Sequence, residues 1–207
     1  MKTGKVKEMI LVFFKGFVVS AGLIIAIGAQ NAFVLTQGIK RQHWLIIPLI
    51  CAVCDALLIS AGVAGMGTIV SDYPEFTRYV AWGGAAFLFW YGFKSLQSVF
   101  RPGTLEESNR ETSTVGKAVA TTLALTFLNP HVYIDTVLLI GTIGSQFPDG
   151  EKFLFAAGAM SASFVWFFML SFGGRLLKPM FQKTVSWQIL DSFVCATMIF
   201  VGVSLII

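Results

Sequence analysis

Two aspartates stand in stretches that are otherwise apolar: Asp55, in Cys54-Asp55-Ala56-Leu57-Leu58, and Asp135, in Tyr133-Ile134-Asp135-Thr136-Val137. A carboxylate at the centre of a membrane helix costs about 2.5 to 3.5 kcal/mol on insertion scales, so it faces a cavity or a partner and marks a solute or proton path. Away from the expected membrane boundaries these two read as the only formal charges. With no buried Lys or Arg beside them, they suit a cation. Burial favours the protonated carboxyl and a nearby cation favours the ionised one, so each Asp can hold either a proton or a positively charged solute. Competition for one carboxylate is the simplest chemistry of an antiporter. The structural alternative is a protonated Asp hydrogen-bonded between helices.

Two polar interruptions accompany the acids, Gly28-Ala29-Gln30-Asn31-Ala32-Phe33 and Asn129-Pro130-His131-Val132-Tyr133-Ile134-Asp135. Hydrocarbon tolerates irregular backbone only where protein or a water-filled cavity covers it, so matched breaks in two parts of a membrane protein point to a solute site. Pro130 removes one helical hydrogen bond and disfavours helical geometry at Asn129, which gives that break a mechanical cause. Gly28 is a weaker reason for the first helix to open. Gln30, Asn31 and Asn129 bring amide donors and acceptors to the openings. His131 and Asp135 are four apart and share a face if the helix resumes after Pro130. They could relay a proton, or His131 could cap free carbonyls.

The elements that must position these residues follow from composition. The chain has 207 residues, 56% hydrophobic and 13% charged, with a mean hydropathy of +0.76. Soluble domains carry about 25% charged residues, so this is a polytopic membrane protein. At roughly 20 apolar residues per span, the length fits six helices and no sizeable soluble domain. Apolar runs place them at 9–36, 44–70, 77–98, 117–145, 151–173 and 187–207. The Lys-rich start is followed by an apolar run too long for a signal-peptide core, so it reads as the first span, retained. A polar linker over 99–116 separates a first three-helix half, 1–98, from a second, 117–207. Each half opens on a break, and an odd number of spans per half forces opposite orientations. That is the inverted-repeat plan of many secondary transporters, with broken first and fourth helices.

Connection charges set the orientation. Nine Lys and Arg (Lys40, Arg41, Lys94, Arg101, Arg110, Lys117, Arg175, Lys178 and Lys183) fall on the linker side, against six on the side of the termini. The loops favour a cytoplasmic linker with both termini outside, although the basic amino-terminal region argues the reverse. The net charge of +4 therefore reports orientation, and nucleic acid is not implied.

Other features have bland readings first. Cys51, Cys54 and Cys195 lie in apolar stretches as packing residues, although Cys51-x-x-Cys54 shares a helical face and leaves a redox role open. No metal cluster or cofactor motif is read. Ala61-x-x-x-Gly65 and Ala157-x-x-x-Ser161 have helix-packing spacing, which also permits a homodimer. Trp44, Trp82, Trp166 and Trp187 read partly as interface anchors, with Trp90 and Trp166 deep for that role. An intramembrane aspartyl protease would also use two acids, but neither Asp follows a Gly-x-Gly element.

These residues resemble the lysine/arginine exporter (LysE) family of bacterial inner-membrane proteins, most closely its arginine-exporter branch. The matching segments are Gly28-Ala29-Gln30-Asn31-Ala32-Phe33-Val34, Gln37-Gly38-Ile39-Lys40-Arg41, Cys54-Asp55, Trp82-Gly83-Gly84 and Leu128-Asn129-Pro130-His131 through Asp135. Many relatives carry Gly-Pro-Gln-Asn at the first break, where this chain has Ala29. The linker is short, as in the arginine branch. The resemblance implies export of cationic L-amino acids, arginine and as a further candidate lysine, driven by proton motive force. Asp55 and Asp135 would alternately hold proton and substrate, with Asn31 and Asn129 shaping the opened helices. Within transport the alternative is an exporter of neutral amino acids or another small metabolite, in which the acids serve protons only.

Overall fold

The computed structural model describes residues 2–25, 28–66, 74–100 and 114–206, and every element among them is helical. Residues 101–113 of the expected linker lie outside the described residues. In chain order the helices are α1 (Lys2–Ile24), α2 (Ala29–Lys40), α3 (Ile46–Ala61), α4 (Pro74–Phe100), α5 (Val115–Phe127), α6 (Pro130–Ser145), α7 (Asp149–Leu177) and α8 (Thr184–Ser204). α3 runs on into a π-helical turn, Gly62–Met66, and α6 contains a longer one, Tyr133–Leu139.

Local chemistry explains most boundaries. α1 begins at Lys2 instead of the expected residue 9, because its lysines are good helix formers and nothing stops the helix before them. Thr114 caps α5, its hydroxyl accepting from the Lys117 N–H at 3.4 Å. Asp149 and Glu151 stand in the first turn of α7, where the helix dipole favours acids, and Lys152 pairs with Asp149 at 2.6 Å. α2 ends at Arg41, which takes the left-handed conformation with φ 55°.

α3 with its π turn, α7 and α8 are each long and apolar enough to cross a bilayer; counting each bent pair, α1 with α2 and α5 with α6, as one span raises the number to five. α4 has 27 residues, about 40 Å of helix. Its glycines, tyrosines and tryptophans make it less apolar than the others.

In lipid, helices associate through close packing and hydrogen bonds, not through a hydrophobic drive between them. The contacts here are made by glycine. A Cβ on Gly16 of α1 would strike the Phe155 carbonyl of α7, and one on Gly158 would strike the Phe13 carbonyl. Gly38 of α2 and Gly174 of α7 make a second such pair, against the Ser171 and Leu35 carbonyls. Gly62 abuts the backbone of Thr136 and Val137, and Gly141 that of Gly62, closing α3 onto α6. Gly92 and Gly202 seat α4 and α8 against Met198 and Phe89. The first broken helix thus packs on α7, and the second broken helix on α3. The expected pairs behave otherwise: Ala157 is exposed while its neighbour Gly158 makes the contact, and Gly65 terminates a helix at φ 102°. The cysteines are free thiols, Cys51 and Cys54 buried among core side chains of α3.

Candidate functional site

The breaks in α1/α2 and α5/α6 are real bends, of 86° and 63°. At the second, Asn129 is extended (φ −102°, ψ 106°), as a residue before proline should be, and Pro130 occupies the first helical position. The Asn129 Oδ1 accepts from the His131 N–H at 3.2 Å, so this side chain caps the resumed helix. At the first, Gly28 is extended at the start of α2 and supplies no side-chain cap.

Each bend leaves carbonyls at the end of the upstream helix that have lost their helical donors, an expensive condition in lipid. Both are answered by a side chain from beyond the break. Asn31 Nδ2 donates to the Ile24 carbonyl at 2.8 Å, and Tyr133 Oη donates to the Phe127 carbonyl at 3.0 Å. Trp166 Nε1 of α7 donates in turn to Asn31 Oδ1 at 3.3 Å. Gln30 Nε2 donates to Thr126 Oγ1 at 3.0 Å, tying the two broken helices together. Replacing Asn31 by Ala should leave the Ile24 carbonyl and the Trp166 N–H short of partners, at about 1–3 kcal/mol. The expected result is a thermal midpoint several degrees lower in detergent, with Asn31→Gln intermediate.

Between the breaks lies a cavity of about 320 Å³, at the small end of the range for small-molecule sites. Gly28, Gln30, Asn31, Asp55, Asn129, His131 and Asp135 all line it. Pro130 is buried beside it and acts through the backbone. Asp55 is 4% exposed and accepts a hydrogen bond from Ser163 Oγ of α7 at 2.8 Å. Asp135 is half-buried, within electrostatic range of both Asp55 and His131. It sits in the π-helical segment of α6, where the wider turn changes which face its carboxyl presents. Apolar walls come from Ile24, Ile140, Phe167 and Phe200. No Lys or Arg lines the cavity among the described residues.

Several participants were not identifiable from the chain alone. Ser163 and Thr126 are hydroxyls among many in apolar helices, and nothing in their spacing pairs them with Asp55 or Gln30. Trp166 carried a hint, being too deep for an interface ring. A third acid, Asp191, lies two turns inside α8, which begins at Thr184, three residues earlier than expected.

Broken helices around a polar cavity are how solute translocators put binding groups inside a bilayer, and that is the class of protein this fold and cavity define. A family model described as LysE type translocator matches residues 21–207. The chain belongs to the LysE type translocator family, and so is a transporter and not an enzyme. It is 42% identical over 199 residues to the arginine exporter protein ArgO of Klebsiella pneumoniae (strain 342), covering 95% of this chain and 94% of that protein. It is also 42% identical over 192 residues to the arginine exporter protein ArgO of Salmonella typhimurium (strain LT2), covering 92% and 90% respectively. No solved structure matches the chain.

Proposed function

We propose that this protein exports cationic L-amino acids, arginine and with it lysine as a candidate, across a bacterial inner membrane in exchange for protons. The observation that carries this reading is the cavity's charge: two aspartates and no lysine or arginine among its described lining residues. A guanidinium or ammonium is the complement of such a site. The amino-terminal end of α2, with Gly28 at its cap position, offers a positive helix end for the substrate's carboxylate. Asp55 and Asp135 are the groups we assign to substrate and proton, Gln30, Asn31, Asn129 and His131 shape the site, and Gly28 and Pro130 open the helices. The relatives at 42% identity are arginine exporters, which agrees with this substrate class.

The same reading takes α4 as a sixth span and the halves 1–98 and 117–207 as inverted repeats joined by 99–116. The reciprocal packing supports it, since exchanging the halves turns the α1/α2 contact on α7 into the α5/α6 contact on α3. The linker side, with its excess of Lys and Arg, is assigned to the cytoplasm.

Coupling is required because an inside-negative potential retains a monovalent cation by about 2.3 kcal/mol per 100 mV. Uptake of labelled arginine into everted vesicles tests the proposal directly. An acid-inside gradient should accelerate uptake several-fold, and excess Lys should compete where Leu and Thr do not. Equal competition by Leu or Thr would establish the neutral-substrate alternative instead, and indifference to the gradient would remove proton exchange.

A further inference from the structure

Lys40, Trp187 and Asp191 form a second polar cluster, separate from the cavity. Lys40 Nζ stands 5.6 Å from the Trp187 ring centroid, within cation–π range. Asp191 lies one turn beyond Trp187 on α8, close enough to Lys40 for mutual attraction. α8 packs on α2 here, and Trp187 is buried with its Nε1 donating to the Phe181 carbonyl at 2.8 Å. The indole is thus fixed.

Distance along both helices places the cluster relative to the cavity. Lys40 is nine residues from the cavity residue Asn31, and Asp191 is nine from the cavity residue Phe200. Each offset is about 13 Å of helix. The cluster therefore sits that far from the cavity, toward the end of the bundle where α2 stops and α8 starts. Gln30, Phe33, Gln37 and Lys40 lie on one face of α2 at helical spacing, making a stripe from the cavity to the cluster. Phe33 packs against Tyr91 with ring centroids 6.1 Å apart, closing the stripe part-way.

An independent observation lies on that stripe. Gln37 is 8% exposed, and its Oε1 has no hydrogen-bond partner among the described residues. A buried acceptor left open costs free energy, so the Gln37 oxygen favours any donor that reaches it. Together the Asp191 carboxylate, the Gln37 carbonyl oxygen and the Trp187 face are acceptors only. A planar cation with several N–H donors matches that set better than an ammonium does.

We infer that Asp191, Gln37 and Trp187 form a second guanidinium site at the linker-side mouth, beside which Lys40, held over the Trp187 ring and bonded to neither acceptor, is the tethered cation that an arriving one displaces. The inference deepens the export reading: with the linker side cytoplasmic, this site would receive arginine before it passes Phe33 and Tyr91.

The test uses guanidinium chloride at tens of millimolar, with NaCl as the control, so that it does not depend on arginine being the cargo. In the intact wild-type protein, guanidinium should raise the rate of amine labelling at Lys40 several-fold, read by mass spectrometry, while Lys117 is unaffected. In protein carrying Asp55→Asn and Asp135→Asn, adding Lys40→Met should tighten guanidinium binding about tenfold, and adding Asp191→Asn should remove that gain. An unchanged Lys40 labelling rate overturns the inference, as does a gain that survives Asp191→Asn. Wild-type arginine efflux, measured in parallel, reports on the export reading separately: guanidinium effects without efflux keep the site and remove the proposed cargo.

Discussion

Asp55→Asn and Asp135→Asn are each expected to lower arginine efflux from proteoliposomes by about a hundredfold, and together to abolish it. The magnitude follows from the site. Truncating one partner of a buried charge pair costs about 2–5 kcal/mol, much of it from stranding the other charge, and the cavity has no third acid among its lining residues to take over. Asn keeps the size and the ability to accept from Ser163 Oγ, so the fold should survive where the charge does not. Ser163→Ala is the graded control: it removes one hydrogen bond to a carboxylate, about 1.5–3 kcal/mol, and should raise the half-saturation for arginine by roughly tenfold or more while leaving both acids in place. Efflux that persists in the double Asn variant would remove the carboxylate mechanism altogether.

The second large effect is on assembly. Gly158→Val should destabilise the protein by about 3 kcal/mol, since its Cβ would occupy the position of the Phe13 carbonyl and force α1 away from α7. In a chain of this length that is a fall in thermal midpoint on the order of 10 °C. Gly173→Val, in the same helix but with open space where its Cβ would go, should shift the midpoint by a degree or two at most. A comparable loss from both variants would trace the effect to helix propensity instead of backbone contact.

How much of this was legible beforehand depended on whether the cause was local. Pro130 forbids a helical hydrogen bond by its own covalent structure, so the second break could be read to the residue, and Asn129 has the extended geometry a proline imposes. The first break was legible from misplaced polarity, because Gln30 and Asn31 have no reason to sit in hydrocarbon otherwise. That both breaks border one cavity depends on how α3 and α7 dock, and no local pattern encodes docking. The same limit explains the packing glycines. Ala157-x-x-x-Ser161 and Gly158 lie on adjacent stripes of one helix, and only the direction of approach of α1 decides between them. The π-helical turns at 62–66 and 133–139 arise where α3 and α6 meet backbone to backbone through Gly62 and Gly141. No residue within them marks them in the sequence, so the register of Asp135 could not be anticipated.

The side-chain bonds from Asn31 and Tyr133 across the two gaps bear on motion. A severed helix whose gap is bridged by side chains exchanges individual hydrogen bonds when its angle changes, each about 0.5–1.5 kcal/mol net, and not a whole turn's worth. At the first knee the glycine seams hold both arms, α1 at Gly16 and α2 at Gly38, against α7, so a change of angle there takes α7 with it. A carrier jointed this way would turn its mouth from one compartment to the other by moving each broken helix together with the helix it is seamed to.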